Sequence, residues 1–111
     1  MNGFSLAARL RAGDTVHTAW CALAAPTVAE IIAREGFAAV TLDAQHGLWD
    51  LAAVTTGIAA VRQAGAAPIV RVPLSDFASV SRVLDFGAEG VIAPMINTAA
   101  DARVFVAAAK F

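Results

Sequence analysis

Leu42-Asp43-Ala44-Gln45-His46-Gly47-Leu48-Trp49-Asp50 is the stretch around which the rest of the chain is organised. Behind it lies a short apolar run, Ala38-Ala39-Val40-Thr41-Leu42, and ahead of it an Ala/Val-rich helical segment. Two titratable groups, Asp43 and His46, therefore stand where a strand ends and a helix has yet to begin. In parallel α/β folds ligands bind at the carboxyl ends of the strands, so this position matters more than the residue types alone. Asp and Gly are also ordinary turn formers, and a lone histidine in a turn is often structural. The flanking segments decide between the two readings.

Working outward, the chain alternates strand and helix. Towards the N-terminus, Phe4 to Ala12 reads as a short amphipathic helix stopped by Gly13, and Val16 to Ala22 as a first strand closed by Ala25-Pro26. Thr27 with Glu30 has the spacing of a capping box and predicts a helix from Val28 to Glu35, ended by Gly36. Ala38 to Leu42 is the second strand. Asp50 is a good N-cap for a helix from Leu51 to about Gln63. Pro68-Ile69-Val70-Arg71-Val72 is the third strand, and Asp76 opens a helix through Leu84 that Gly87 closes. Gly90-Val91-Ile92-Ala93 is the fourth strand, cut by Pro94, and Thr98 caps a last helix to Lys110.

A leading helix and four βα units predict a parallel sheet, with strands too apolar for one solvated face. A whole (β/α)8 barrel takes about 250 residues, more than twice the 111 present. A dinucleotide fold lacks its support, since no Gly-x-Gly-x-x-Gly follows the first strand, and no phosphate-cradling P-loop motif occurs.

Composition narrows the function. The formal net charge is −1 without a basic run, which argues against nucleic acid or an anionic membrane as partner. Hydrophobic residues make up 59% of the chain, above the roughly 45–50% of soluble domains, which fits a buried parallel sheet or part of something larger. No signal-peptide pattern or membrane-length apolar run is present, and a single cysteine, Cys21, makes no internal disulfide. The expectation is a cytoplasmic protein with Cys21 as a small core residue.

Arg71 is the second unusual residue. A charge inside an apolar strand is costly unless paired or bound to a ligand. It sits at the end of strand three, beside the Asp43/His46 end of strand two, where a guanidinium suits a carboxylate or a developing enolate oxygen. A structural ion pair from Arg71 to Asp43 or Asp76 is the competing reading. Trp20 and Trp49 fall near the same end and could each wall a pocket or simply pack. Asp85, beside the Phe86-Gly87 helix terminus, is electrostatically misplaced there and hints at a partner elsewhere. His17 falls at the far end and reads as structural. Asp43 and His46 could donate metal ligands, but no carboxylate or His/Cys cluster completes a site, and no serine elbow is present.

Taken together, these segments resemble the HpcH/HpaI aldolase family of metal-dependent class II pyruvate aldolases. The resemblance runs through Trp20 and Ala25-Pro26, Gly36-Phe37, Leu42-Asp43-Ala44-Gln45-His46-Gly47 and Pro68-Ile69-Val70-Arg71-Val72-Pro73. It continues in Val83-Leu84-Asp85-Phe86-Gly87-Ala88 and Ile92-Ala93-Pro94-Met95-Ile96-Asn97-Thr98-Ala99. It implies a (β/α)8 barrel, of which residues 1–111 would be the N-terminal half, and retro-aldol cleavage of 4-hydroxy-2-oxo acids to pyruvate, or a related 2-oxo acid, and an aldehyde. Carried over by position, His46 acts in proton transfer, Asp85 forms a dyad with it, and Arg71 holds the 2-oxo group and steadies the enolate. Trp20 and Asp43 join Arg71 in the substrate pocket. Many members carry Glu where this chain has Gln45, a minor departure. The resemblance also implies a divalent cofactor, Mg2+, Mn2+ or Co2+, whose Glu and Asp ligands are expected beyond Phe111, and a homo-oligomer, hexameric in the family. The alternatives are an acyl-CoA lyase of the citrate-lyase β-like branch, or a non-catalytic fragment without the metal site.

Overall fold

The computed structural model describes residues 5–110. Four strands, β1 (Thr18–Cys21), β2 (Ala39–Asp43), β3 (Ala67–Arg71) and β4 (Gly90–Ile92), pair in parallel in the order β1-β2-β3-β4. The helices α1 (Leu6–Arg11), α2 (Pro26–Arg34), α3 (Leu51–Gln63), α4 (Ala78–Asp85) and α5 (Ala99–Ala109) complete the alternation expected from the sequence. Sequential neighbours throughout, with helical returns between parallel strands, make this the consecutive βα arrangement of a barrel wall.

Local chemistry explains most of the boundaries. Asp50 accepts the Ala53 N–H at 2.9 Å and Thr98 accepts the Asp101 N–H at 3.0 Å, so α3 and α5 start at the caps the sequence predicts. The expected capping box before α2 does not form. Pro26 occupies the first turn, with Ala25 at the N-cap and no side-chain cap bond, because proline brings a preset φ and has no N–H to satisfy there. Glu30 instead pairs with Arg34 one turn on, at 3.0 Å. Asp76 does not begin α4 but caps the turn before it, accepting from the backbone N–H and the Oγ–H of Ser79. The first strand is shorter than expected and the third lies one residue earlier, so Arg71 closes β3. For the first helix, Ser5 is the observed N-cap, and the expected start at Phe4 lies outside the described residues.

Alternation along the strands divides the sheet into two faces. Val40, Leu42, Val70 and Val72 point outward and pack under Val54, Ile58 and Val61 of α3 and Val80 and Val83 of α4. On the inner face Leu6 of α1 sits with Ala39 and Ala67 near the amino ends of the strands. Glu89 fixes that helix, accepting the Leu6 N–H at 3.0 Å while pairing with Arg62 at 3.5 Å. Cys21 is buried in the outer core, as its apolar surroundings suggest. Along the same inner face, further towards the carboxyl ends, polar groups replace methyls. The hydroxyls of Thr18 and Thr41 meet at 2.9 Å, and beyond them come Trp20, Asp43 and Arg71.

Candidate active site

The last residues of β2 and β3 lie directly opposite each other, Asp43 against Arg71. Because both close their strands on the inner face, the guanidinium meets the carboxylate as a fork. Nε donates to Oδ1 at 2.9 Å and Nη2 to Oδ2 at 2.7 Å. The ion pair raised as the competing reading for Arg71 is thus present, with Asp43 and not Asp76 as its partner. Trp20 adds a third contact, its indole Nε1–H donating to Asp43 Oδ2 at 3.1 Å while its ring lies 5.1 Å from the guanidinium carbon. One edge of the guanidinium is held by charge and one face by an aromatic ring. Among the described residues no acceptor engages its Nη1, which remains available to a ligand.

Asp43 is only 3% exposed and takes two more donors, the backbone N–H groups of Gln45 (2.9 Å) and His46 (3.2 Å). Burial alone would raise its pKa. The Arg71 bonds, then the Trp20 indole and the two backbone N–H groups, outweigh that and hold the carboxyl far below the usual range. The same bonds raise the Arg71 pKa further. With five donors on two oxygens, Asp43 has no lone pair left for a substrate or a metal. In this arrangement Asp43 keeps Arg71 charged and aimed, and it folds the loop that carries His46.

That loop is fastened on both sides. The Leu48 N–H donates to the Ala22 carbonyl in the loop after β1, and Gln45 Oε1 accepts the Leu74 N–H at 2.6 Å in the loop after β3. Gly47 makes the first fastening possible, since a Cβ there would collide with the Asp43 carbonyl and stand 3.0 Å from the Ala22 carbonyl oxygen. Between the fastenings the His46 side chain is exposed, one turn from the Arg71–Asp43 pair. Trp49 instead is buried in the outer core and donates its indole N–H to the Cys21 carbonyl at 3.0 Å. Of the two tryptophans, Trp20, 49% exposed, is the one facing the site.

The structure brings His46, Arg71, Asp43 and Trp20 together but leaves Asp85 apart. Asp85 is exposed at the end of α4, where the chain returns to the amino ends of the strands: the Glu89 N–H donates to the Pro68 carbonyl. Within one chain Asp85 and His46 therefore stand at opposite ends of the sheet. His17 is exposed just before β1, at the far end expected of it. No cluster of three or more His, Cys, Asp or Glu able to hold a metal exists among the described residues. With Asp43 saturated, the described residues do not fit a divalent ion. No helix among the described residues is long and apolar enough to cross a membrane. Sequence reading missed Gln45 and Leu74 as a contact, because their separation of 29 residues carries no local signal.

Residues 17–111 match the family described as HpcH/HpaI aldolase/citrate lyase. The chain belongs to this family. A 4-hydroxy-2-oxovalerate aldolase of Novosphingobium aromaticivorans is 36% identical over 108 residues, 96% of this chain and 41% of that protein. A hydroxypyruvate/pyruvate aldolase of Rhizorhabdus wittichii is 37% identical over 99 residues, 89% of this chain and 39% of that one. The crystal structure of an HpcH/HpaI aldolase from Desulfitobacterium hafniense superposes with a TM-score of 0.87 at 30% identity, covering 98% of this chain and 42% of its own. The chain thus spans about 40% of the length of these HpcH/HpaI relatives and holds the four βα units of an α/β fold of barrel type.

Proposed function

We propose that this chain supplies the enolate-stabilising and proton-transferring side of a retro-aldolase acting on 4-hydroxy-2-oxo acids. The single observation behind the reading is the Arg71 guanidinium, fixed in charge and direction by Asp43 and Trp20 at the carboxyl rim, with an exposed imidazole on the adjoining loop. In a retro-aldol cleavage the 4-hydroxyl loses its proton, the C3–C4 bond breaks, C4 leaves as an aldehyde and the electron pair passes into the enolate of the 2-oxo acid. The charge that grows is on the 2-oxygen, where the free donors of Arg71 act most strongly in the transition state. His46 accepts the 4-hydroxyl proton, histidine being the side chain best suited to proton exchange near neutral pH. The exposed face of Trp20 walls the pocket.

The relatives named as aldolases of 2-oxo acids support the substrate class. A divalent ion, which the family resemblance implies, has to be held by carboxylates other than the described ones. Asp85 can form a dyad with His46 only across two copies of the chain, in line with the oligomer that the resemblance implies. In the enzyme as its host makes it, His46→Ala and Arg71→Ala should each lower pyruvate release by at least about 100-fold. A coupled pyruvate assay reads this, and near wild-type turnover in either variant refutes the assignment.

A further inference from the structure

We infer that Gln45 is a positioning residue for His46, acting as a latch between the loops that follow β2 and β3. The loop after β2 is bound at five places, the first being the Ala44 N–H on the Arg71 carbonyl at 2.9 Å. Asp43 Oδ1 accepts the N–H groups of residues 45 and 46, Leu48 N–H reaches the Ala22 carbonyl, and Gln45 Oε1 takes the Leu74 N–H at 2.6 Å. Three of these bonds fix the loop to its own strand or to the loop after β1. Among the described residues the Gln45 bond alone ties it by a side chain to the loop after β3, the loop that leaves Arg71. Asp43 sets the backbone of His46 against the guanidinium, and the Gln45 amide adds a second hold on the same loop, from the segment that follows Arg71.

The receiving loop needs such a hold. Ser75, next to Leu74, lies in the left-handed region with φ of 58°, a conformation that non-glycine residues keep only when their surroundings impose it. Its two flanks are both engaged, Leu74 N–H by Gln45 and Asp76 N–H by the Pro73 carbonyl at 3.1 Å. The Asp76 carboxylate adds a third restraint through Ser79. Releasing Leu74 frees the loop to relax from the Ser75 conformation and to draw away from His46. The latch uses only a side-chain oxygen acceptor, which Glu supplies at the same reach. Gln and Glu are thus interchangeable for this purpose, whereas Leu, of similar volume, is not.

The activity arm of the test rests on the retro-aldol reading, while the exchange arm does not. Amide hydrogen exchange in Gln45→Leu should quicken at least about tenfold at Leu74 and also at His46, whose N–H lies on the other side of the latch, and Gln45→Glu should restore both. In the enzyme as its host makes it, Gln45→Leu should lower kcat about tenfold with KM within about threefold, because a misplaced base affects the transition state more than binding. Gln45→Glu should recover most of the turnover. Turnover of Gln45→Leu within twofold of wild type overturns the inference, as does failure of Gln45→Glu to recover activity once Leu74 is again protected. If the wild-type enzyme cleaves no 4-hydroxy-2-oxo acid, the proposed function fails by itself. The latch is then judged by exchange: quickening at both amides sustains it and quickening at Leu74 alone overturns it.

Discussion

Replacing Asp43 by asparagine or alanine probes the centre of the site directly. The carboxylate is almost fully buried and accepts five hydrogen bonds, two of them charge-assisted from one guanidinium. Breaking a buried pair by removing one partner costs about 3–5 kcal/mol, because the remaining charge is stranded. Solvent at the rim screens part of this, since the Arg71 side chain keeps 20% of its surface exposed. Asp43→Ala should therefore cost about 3 kcal/mol and Asp43→Asn about 2 kcal/mol, the amide still accepting at Oδ1. With a urea m-value of about 1.5 kcal/mol/M, the midpoint for Asp43→Ala falls by about 2 M.

The dependence on pH has a definite sign. Folding lowers the Asp43 pKa, so its contribution is complete above the unfolded value of about 3.9 and is lost as pH falls towards the folded one. The gap between wild type and Asp43→Asn should be flat from about pH 5 to 8 and shrink below about pH 4. In an Arg71→Met background Asp43→Asn should cost less than roughly half as much, since no guanidinium is then left unpaired. Equal costs in the two backgrounds, or a gap that widens in acid, refute a carboxylate held ionised by Arg71.

Other substitutions test the supports around this pair. Gly47→Ala places a methyl group against two backbone carbonyls that cannot yield, and should destabilise by about 1–3 kcal/mol with loss of turnover, read by thermal melting and a pyruvate assay. Trp49→Phe keeps most of the packing but removes the indole donor to the Cys21 carbonyl, at a cost of about 1 kcal/mol in urea denaturation. The remaining emission should shift to the red, because Trp20 is half exposed. Asp50→Ala removes the cap of α3, and amide exchange at Ala53 should quicken in step with a loss of about 1 kcal/mol.

The alternation of strands and helices was legible because its signals are local: Asp50 and Thr98 bond N–H groups three residues on. The start of α2 was misread where two such signals competed, since proline at a first turn leaves less for a capping threonine to do. Arg71 was conspicuous as a charge in an apolar strand, and its pairing with Asp43 follows once both are seen to close adjacent strands. The sorting of Trp20 from Trp49 depended on which face each meets. One trace of it exists in the sequence, the glycine at 57 inside α3, where a Cβ would strike the Trp49 ring. The distance of Asp85 from His46 follows from helices running back to the amino ends of the strands, a consequence of topology that no single residue announces.

Asp43 grips the loop of His46 through the peptide N–H groups of residues 45 and 46 and not through their side chains. Replacing the imidazole itself leaves both donors in place, because every residue but proline carries the same N–H. The frame of the site is thus uncoupled from the chemistry mounted on it. Such a loop can exchange its reactive group within a few substitutions and still fold, which gives this corner of the barrel wall room to evolve new reactions without first losing its shape.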